Sequence, residues 1–392
     1  MNVIELRREL HRHPEIAFDL PNTLAVVRRE LDRIGISFTE KYGKSGIVAT
    51  INPEKEGFTV GLRADMDALP VTEANDVPYK SEVPGKMHAC GHDAHTSILL
   101  GTAERLFACR ERIGRVRLIF QPAEESNPGG AALMVADGAG KLADVFAALH
   151  CQPGIRAGQI SVSGGDYNAE SNSFFLHFKG KNAHVQNQED GVDAIAMAVS
   201  AYSQIETYVA KRICARSVVI FNAGTIHGGK AHNVICDECY MSCTLRTWED
   251  GAAPKILADF SKILDGVALS YGGEAWLELT KTNRIVHNDP SVAAALRKSA
   301  ETVLGAENII EWPREMGAED FSCFSREKPS CMFRLGVDGR DGTCHGGLHQ
   351  SDFDLDESAL EVGIGVFTQF VLDCFDGTVL SGRFENSEHV GE

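Results

Sequence analysis

The stretch RVRLIFQPAEE, residues 115–125, decides the fold class because an apolar strand runs directly into a pair of glutamates. A helical pattern from about Ala94 to Cys109 precedes this strand, and a glycine-rich turn with the helical stretch AALMVADGA follows it. Strands that alternate with helices are typical of a mostly parallel sheet with helices on both faces. We therefore expect an α/β fold.

Further strands extend this pattern outward in both directions. Gly46 to Ile51 and FTVGL (58–62) come before the central strand, and VFAAL (145–149) and SCMFRLGV (330–337) come after it. We expect Asn22 to cap an early helix, Asp289–Pro290 to begin a later one, and a helix from about Glu357 to Phe375 to close the fold.

The order of predicted strands and helices changes from about residue 168, before the last of these strands. This part of the chain begins with the predicted strand SFFLHFKGK and a helix from Gly191 to Arg212. Two strands follow, SVVIFNAGTI and HNVICDECYMSCTLRT, and then a helix from Ala252 to Tyr271 and the strand EAWLELTK. This β-α-β-β-α-β order is ferredoxin-like. We therefore predict an α/β domain over 1–167 that resumes at 282–392, interrupted by an inserted domain over 168–281.

The composition excludes several classes of protein. The chain has 392 residues, of which 43% are hydrophobic and 24% charged, so disorder and low-complexity polymers do not fit. The net charge of −17 disfavours nucleic acid and anionic membranes as partners. The charged N-terminal stretch, the lack of an apolar run of 18 residues and 11 irregularly spaced cysteines predict a cytoplasmic protein with reduced thiols.

The loop MHACGHDAH, residues 87–95, contains the first candidate metal ligands. We expect Cys90 and His92 to lie on one side of an extended stretch, with a helix N-terminus just beyond that favours a thiolate. Thiolate and imidazole are both metal ligands. Taken alone, the loop fits a free cysteine with surface histidines equally well.

Other metal-competent side chains follow the predicted strands. Asp65 and Asp67 come after FTVGL, Glu124 and Glu125 after RVRLIF, and His150 after VFAAL. In an open α/β sheet, ligands bind where the carboxyl ends of the strands meet. Of two adjacent glutamates, one can bind a metal while the other takes a proton from water. Alone, the pair fits a solvated acidic turn better, but beside Cys90, His92 and His150 it favours catalysis.

Two features stay open at this point. His349, in GLHQSDFD, is either a further ligand or a surface histidine. Cys236, Cys239 and Cys243 include a CxxC pair, but no second pair lies at zinc-ribbon spacing, so buried free thiols are favoured over a metal or redox site.

The motifs together resemble a known family. RADMDALP, MHACGHDAHT, FQPAEE, KNAHV, GTIHGGKAHNVI and MGAEDFS occur in the order seen in the dinuclear metallo-aminoacylase and carboxypeptidase family. The resemblance is closest to the branch of N-acyl-amino-acid amidohydrolases that contains the hippurate and indoleacetyl-amino-acid hydrolases, and it covers nearly the whole chain.

The resemblance implies a role for each matching residue. It implies that two divalent ions (Zn, Mn, Co or Ni) are held by Cys90 as the bridge together with His92, Glu125, His150 and His349. It further implies that Glu124 is the general base, that Asp67 supports the centre, that His184 stabilises the oxyanion, and that Asn233 and Arg246 hold the substrate carboxylate.

The function implied is hydrolysis of the amide of N-acetyl, N-benzoyl or N-arylacetyl amino acids by a metal-bridging hydroxide. The alternatives are a dipeptidase or exopeptidase on small peptides, and a non-catalytic metal- or ligand-binding homologue. The inserted domain is expected to be a lid that forms a homodimer. Gln188, Glu189, Cys236 and Cys243 depart from the family pattern, and Glu189 could favour basic or polar substrates.

Overall fold

The computed structural model describes residues 1–339, 346–377 and 379–380. The α-helices of these residues are α1 (Val3–Arg12), α2 (Pro21–Ile34), α3 (His92–Ala108), α4 (Gly130–Ala136), α5 (Ala194–Arg212), α6 (Ala253–Tyr271), α7 (Pro290–Leu304), α8 (Ser322–Glu327) and α9 (Ser358–Asp376). The strands are β1 (Ser37–Tyr42), β2 (Gly46–Ile51), β3 (Thr59–Asp65), β4 (Arg115–Gln121), β5 (Val145–Arg156), β6 (Ile160–Ser161), β7 (Gly165–Asp166), β8 (Glu170–Lys179), β9 (Val219–Gly228), β10 (Glu238–Thr247), β11 (Glu274–Asn283), β12 (His287–Asn288) and β13 (Ser330–Asp338).

The chain divides into two compact units. Unit 1 comprises Met1–Tyr167, Val286–Pro313 and the chain from Asp320 onward, and unit 2 comprises Asn168–Ile285 with Arg314–Glu319. The segment 314–319 belongs to unit 2 because Arg314 donates hydrogen bonds to the backbone oxygens of Asn168 and Trp248.

Unit 1 is built on a seven-stranded sheet in the order β1-β2-β4-β3-β5-β13-β6. The four central strands are parallel, and the strands at both edges are antiparallel, so the expected mostly parallel α/β sheet is confirmed. The larger core packs α1, α2, α3, α7 and α9 against one face, and a smaller core with α4 and α8 covers the other. Residues of β5 alternate between these two cores, as the period of a strand requires.

The start of α2 corrects one expectation. Asn22 does not cap this helix, which begins at Pro21 after Leu20 without a side-chain cap of its own. The buried Glu15 carboxylate instead accepts hydrogen bonds from the backbone N–H groups of Asn22 and Thr23. A group seven residues earlier therefore satisfies the free N–H groups of the helix. The Asp289 cap of α7 is confirmed, since its side chain accepts from the N–H groups of the first turn.

Unit 2 is a four-stranded antiparallel sheet in the order β11-β8-β10-β9, with α5 and α6 packed on one face. The chain order of these elements is β-α-β-β-α-β, and the sheet order follows from it. Cys236, Cys239 and Cys243 are buried in or beside this core, and the ten cysteines of the described residues are free thiols.

Helix α9 is long and apolar enough to cross a membrane by length and composition alone. However, 61% of its most apolar stretch is buried inside the protein, where it contributes Leu360, Ile364 and Phe367 to the larger core. Burial in that core accounts for its composition. The cytoplasmic location stays a prediction.

Candidate metal centre

The site lies in unit 1, at the carboxyl ends of β3 and β4 and beside the middle of β5. Asp65 ends β3, Glu124 and Glu125 follow β4, and His150 lies within β5, one residue beyond the predicted strand VFAAL. The loop that ends at His92, the first residue of α3, brings Cys90 to the same edge. This part of the sheet therefore brings together the predicted site residues Cys90, His92, Glu124, Glu125 and His150.

The loop geometry around Cys90 differs from the extended stretch that we expected. Gly91 has a φ of 82°, in the left-handed region, and His92 directly begins the helix. A glycine is favoured here because side chains rarely tolerate this φ, and because a Cβ would also lie 3.1 Å from the Cys151 sulfur. The turn, rather than strand alternation, brings the Cys90 and His92 side chains together.

Two groups of donor atoms meet at Cys90. Its sulfur lies within 4.8 Å of nitrogen atoms of His92 and His150 in one group, and of donor atoms of Glu125 and His349 in the other. The distance from Cys90 Sγ to His150 Nε2 is 3.5 Å, and that from His349 Nε2 to Glu125 Oε1 is 3.0 Å. Thiolate, imidazole and carboxylate ligands suit Zn and its first-row neighbours.

The tautomers of two histidines point a free nitrogen into the site. His92 Nδ1 donates to the backbone oxygen of Asp67 at 2.7 Å, and His150 Nδ1 donates to that of Cys151 at 2.8 Å. A carbonyl only accepts, so Nδ1 of each ring carries a proton and Nε2 is the nitrogen left for a metal ion. His92 Nε2 is buried and makes no hydrogen bond within the described part of the chain. A bound metal ion would satisfy it.

The charges at the site also fit a cation. Burial lowers the pKa of His150 to about 3, so its ring is neutral at pH 7. Burial favours the neutral acid of Glu125, but the contact with His349 overrides it and lowers the pKa of Glu125 to about 2. His150 thus offers a neutral imidazole and Glu125 an ionised carboxylate, the protonation states that bind metals.

The expectation that the helix N-terminus favours a Cys90 thiolate is not met by the protein groups alone. Burial raises the pKa of the Cys90 thiol well above its ordinary value, and the nearby carboxylate of Glu125 adds to that shift. Removing the thiol proton in this buried site therefore requires a positive charge close by. A divalent cation supplies one.

The glutamate pair is held by Asp67. Its Oδ1 accepts the Glu124 N–H at 2.8 Å, and its Oδ2 accepts the Glu125 N–H at 3.1 Å. Glu124 is 6% exposed and has an oxygen within 4.8 Å of donor atoms of His92 and Glu125. The two adjacent side chains are thus fixed at the same edge of the sheet.

His95, which lies one helical turn after His92, also belongs to this site, although it was not among the predicted site residues. Its Nδ1 donates to Asp65 Oδ1 at 2.6 Å, and its Nε2 accepts the Cys151 N–H at 2.9 Å. The spacing of three residues from His92 on a helix was the available signal, because such residues share a face.

The remaining predicted site residues lie in unit 2. His184 and Asn233 are exposed and adjacent, since the Val185 N–H donates to the backbone oxygen of Asn233 at 3.1 Å. Arg246 is half-buried near the end of β10, where its guanidinium donates to the backbone oxygen of Met316 at 2.6 Å.

Comparisons with known proteins agree with the geometry. The model of peptidase family M20/M25/M40 matches residues 61–373. The chain is 31% identical over 372 residues to the N-acetylcysteine deacetylase of Bacillus subtilis, covering 94% of this chain and 96% of that protein. It is 32% identical over 365 residues to thermostable carboxypeptidase 2 of Saccharolobus solfataricus, covering 92% of each.

A further relative is longer than this chain. The match to a putative glutamate–cysteine ligase 2-3 of Rhodococcus jostii has 34% identity over 369 residues and covers 92% of this chain, but only 45% of that protein. Among solved structures, a dinuclear metal-binding peptidase of family M20 from Bacillus subtilis superposes with a TM-score of 0.79 at 30% identity, covering 95% of this chain and 98% of that one.

The Asp67 side chain generates the first prediction. In Asp67→Asn an amide NH₂ faces one of the two glutamate N–H groups, so we expect the affinity for Zn²⁺, measured by calorimetry, to fall about 10- to 100-fold. Asp144→Asn is the matched control, because Asp144 accepts the Thr59 N–H at the opposite end of β3. Equal affinity in Asp67→Asn and wild type would contradict the assigned role.

Proposed function

The chain belongs to peptidase family M20/M25/M40 and is a metal-dependent hydrolase, and on that premise we propose that it cleaves the amide bond of N-acyl amino acids to a carboxylic acid and a free amino acid. The observation that carries the proposal is the meeting of two donor groups at Cys90, with the fixed carboxylate of Glu124 beside them.

The ligand set follows from the two donor groups. We assign His92 and His150 to one divalent ion, Glu125 and His349 to the other, and Cys90 to both. Zn, Mn, Co and Ni all accept this mixture of ligands. Two bound ions would polarise the amide carbonyl and lower the pKa of water to about 7.

Glu124 is the proton carrier of the proposed reaction. Its carboxylate accepts a proton from the attacking water and then donates it to the nitrogen of the leaving amino acid. The amino group therefore leaves as a neutral amine and not as an unstable nitrogen anion. Because Asp67 holds its backbone N–H, Glu124 does not need to reorganise between these two transfers.

Unit 2 supplies the polar groups for the substrate. His184 would donate a hydrogen bond to the developing oxyanion, while Asn233 and Arg246 would bind the substrate carboxylate. In β10, eight residues separate Glu238, at the end next to the His184 loop, from Arg246. At 3.3 Å per residue this is about 26 Å.

That distance supports an active site shared between two copies of the chain. An N-acetyl amino acid spans only about 7 Å, the length of two extended residues. A separation of this size favours contacts to one substrate molecule from His184 and Arg246 of two different chains. We propose that His184 and Asn233 act on the substrate bound by a second copy.

The surface of unit 2 supports a homodimer. Strand β9 lies at the edge of the sheet, and α5 beside it exposes Ile195, Val199 and Tyr202, which are spaced on one helix face. Unpaired sheet edges and exposed apolar patches are typical of interfaces. A second copy that pairs along β9 would cover both features.

The competing function is that of an exopeptidase on small peptides, favoured by the similarity to a carboxypeptidase. A dipeptide carries an ammonium group beside the scissile carbonyl, and this charge is repelled by two bound cations. A neutral acyl group avoids the repulsion. This difference favours N-acyl amino acids as substrates.

A substrate panel separates these two functions. We expect kcat/KM for N-acetyl, N-benzoyl or indoleacetyl amino acids to exceed that for dipeptides of the same C-terminal residue at least about tenfold, or about 1.4 kcal/mol. Higher values for the dipeptides would make the exopeptidase the better assignment.

The proton carrier is tested by Glu124→Gln, which keeps the size of the side chain and removes its basicity. We expect both metal ions to remain, by elemental analysis, and kcat to fall about 10²-fold or more. Glu54→Gln, at an exposed position, is the control for a change from Glu to Gln. Wild-type turnover in Glu124→Gln would remove Glu124 from its role.

Sharing of the active site is tested by mixing two inactive variants. We expect His184→Ala to lose about 10²-fold in kcat with its metals in place, as for a lost oxyanion donor. Mixed dimers of His184→Ala and Glu124→Gln contain one site with both wild-type residues, so activity should return in part. Absence of recovery in verified mixed dimers would mean that His184 does not act on the second copy.

A further inference from the structure

Side chains connect β3 and β5 beyond the point where their backbones pair. The backbone pairing ends with Arg63 opposite Ala148. Two residues further along β3, the Asp65 carboxylate accepts a hydrogen bond from His95 Nδ1, and His95 Nε2 accepts the backbone N–H of Cys151 on β5. Asp65 and His95 therefore replace the missing ladder between the two strands.

His95 is not free to bind a metal, although it lies in a group with Asp65 and His92 whose donor atoms are within 4.8 Å of one another. A carboxylate only accepts, so the ring proton lies on Nδ1, and the lone pair of Nε2 is used by the Cys151 N–H. Both ring nitrogens of the buried His95 are thus engaged in fixed directions.

The group that His95 holds is next to a proposed ligand. The N–H of Cys151 belongs to the peptide bond that joins it to His150, and the Cys151 carbonyl accepts the hydrogen bond of His150 Nδ1. The His95 ring also packs edge-on against the His150 ring, with centroids 4.9 Å apart at 68°. His95 therefore restrains both the backbone and the ring of His150.

We propose that His95 is a positioning residue that, together with Asp65, keeps His150 Nε2 directed at Cys90 and so sets the affinity of that half of the metal centre. The inference rests on the ligand set assigned under the proposed function. It adds a role for His95 that is neither ligation nor proton transfer, because both of its nitrogens are already engaged.

Two substitutions of His95 are expected to weaken metal binding to different extents. His95→Phe keeps a planar ring but removes both hydrogen bonds, whereas His95→Gln retains an oxygen that can accept the Cys151 N–H. Thr102→Val is the matched control, because the buried Thr102 hydroxyl donates to the backbone oxygen of Ile98 within the same helix, away from the site.

The measurement is Co²⁺ binding by calorimetry, followed in parallel by the absorption of the Cys90 thiolate bound to Co²⁺. We expect two ions in the wild type and in Thr102→Val. In His95→Phe the affinity for one ion should fall about 10- to 100-fold with an altered absorption band, and His95→Gln should lie between. Hydrogen exchange of the Cys151 amide should be fastest in His95→Phe.

The outcomes distinguish the inference from the proposed function. If the wild type binds no Co²⁺, the proposed ligand set is wrong. If the wild type and a folded His95→Phe bind both ions equally tightly, the positioning role is wrong. Should His95→Phe not fold, His95→Gln decides, and wild-type affinity together with unchanged exchange at Cys151 would overturn the inference.

Discussion

The Asp67 residue is the constraint on which the site depends. Its two carboxylate oxygens accept the N–H groups of Glu124 and Glu125, and its backbone oxygen accepts from His92 Nδ1. Hydrogen bonds to a charged group contribute about 1.5–3 kcal/mol each, and a buried N–H left without its acceptor costs a similar amount. One residue therefore fixes the backbone of the proposed base and the ring orientation of a proposed ligand.

The nearby carboxylate of Asp65 is balanced by a buried network of charged and polar side chains. Burial opposes ionisation of Asp65, yet His92, Arg63 and His95 hold its pKa well below the ordinary value. Arg63 in turn donates to Asp65, Asp320 and Gln121, so its guanidinium joins the ends of β3 and β4 to the start of α8. Such a network is stable only when each charge is paired, and it leaves the donor atoms little freedom to reorganise.

The proposed chemistry is divided between the two units. The proposed metal ligands and the proposed proton carrier lie in unit 1, and the groups proposed for the oxyanion and the substrate carboxylate lie in unit 2. Within unit 2, the length of β10 separates His184 from Arg246. A strand of ten residues is rigid along its axis, so the proposal of a second copy in the active site follows from strand geometry.

The β-α-β-β-α-β order, the parallel core and the site candidates Cys90, His92, Glu124, Glu125 and His150 could be read from the sequence, because periodicity and strand ends are local properties. The cap that Glu15 provides, the turn at Gly91, the joining of 314–319 to unit 2 and the bridge of His95 could not. Each depends on groups far apart in the chain or on a local φ, and neither is encoded in hydrophobic spacing. The sequence by itself determined which chemical groups are present and on which elements they lie. Only the tertiary structure decided that His92 Nε2 is the nitrogen left for a metal ion, because a hydrogen bond from its Nδ1 to the backbone oxygen of Asp67, on a different element, holds the other nitrogen.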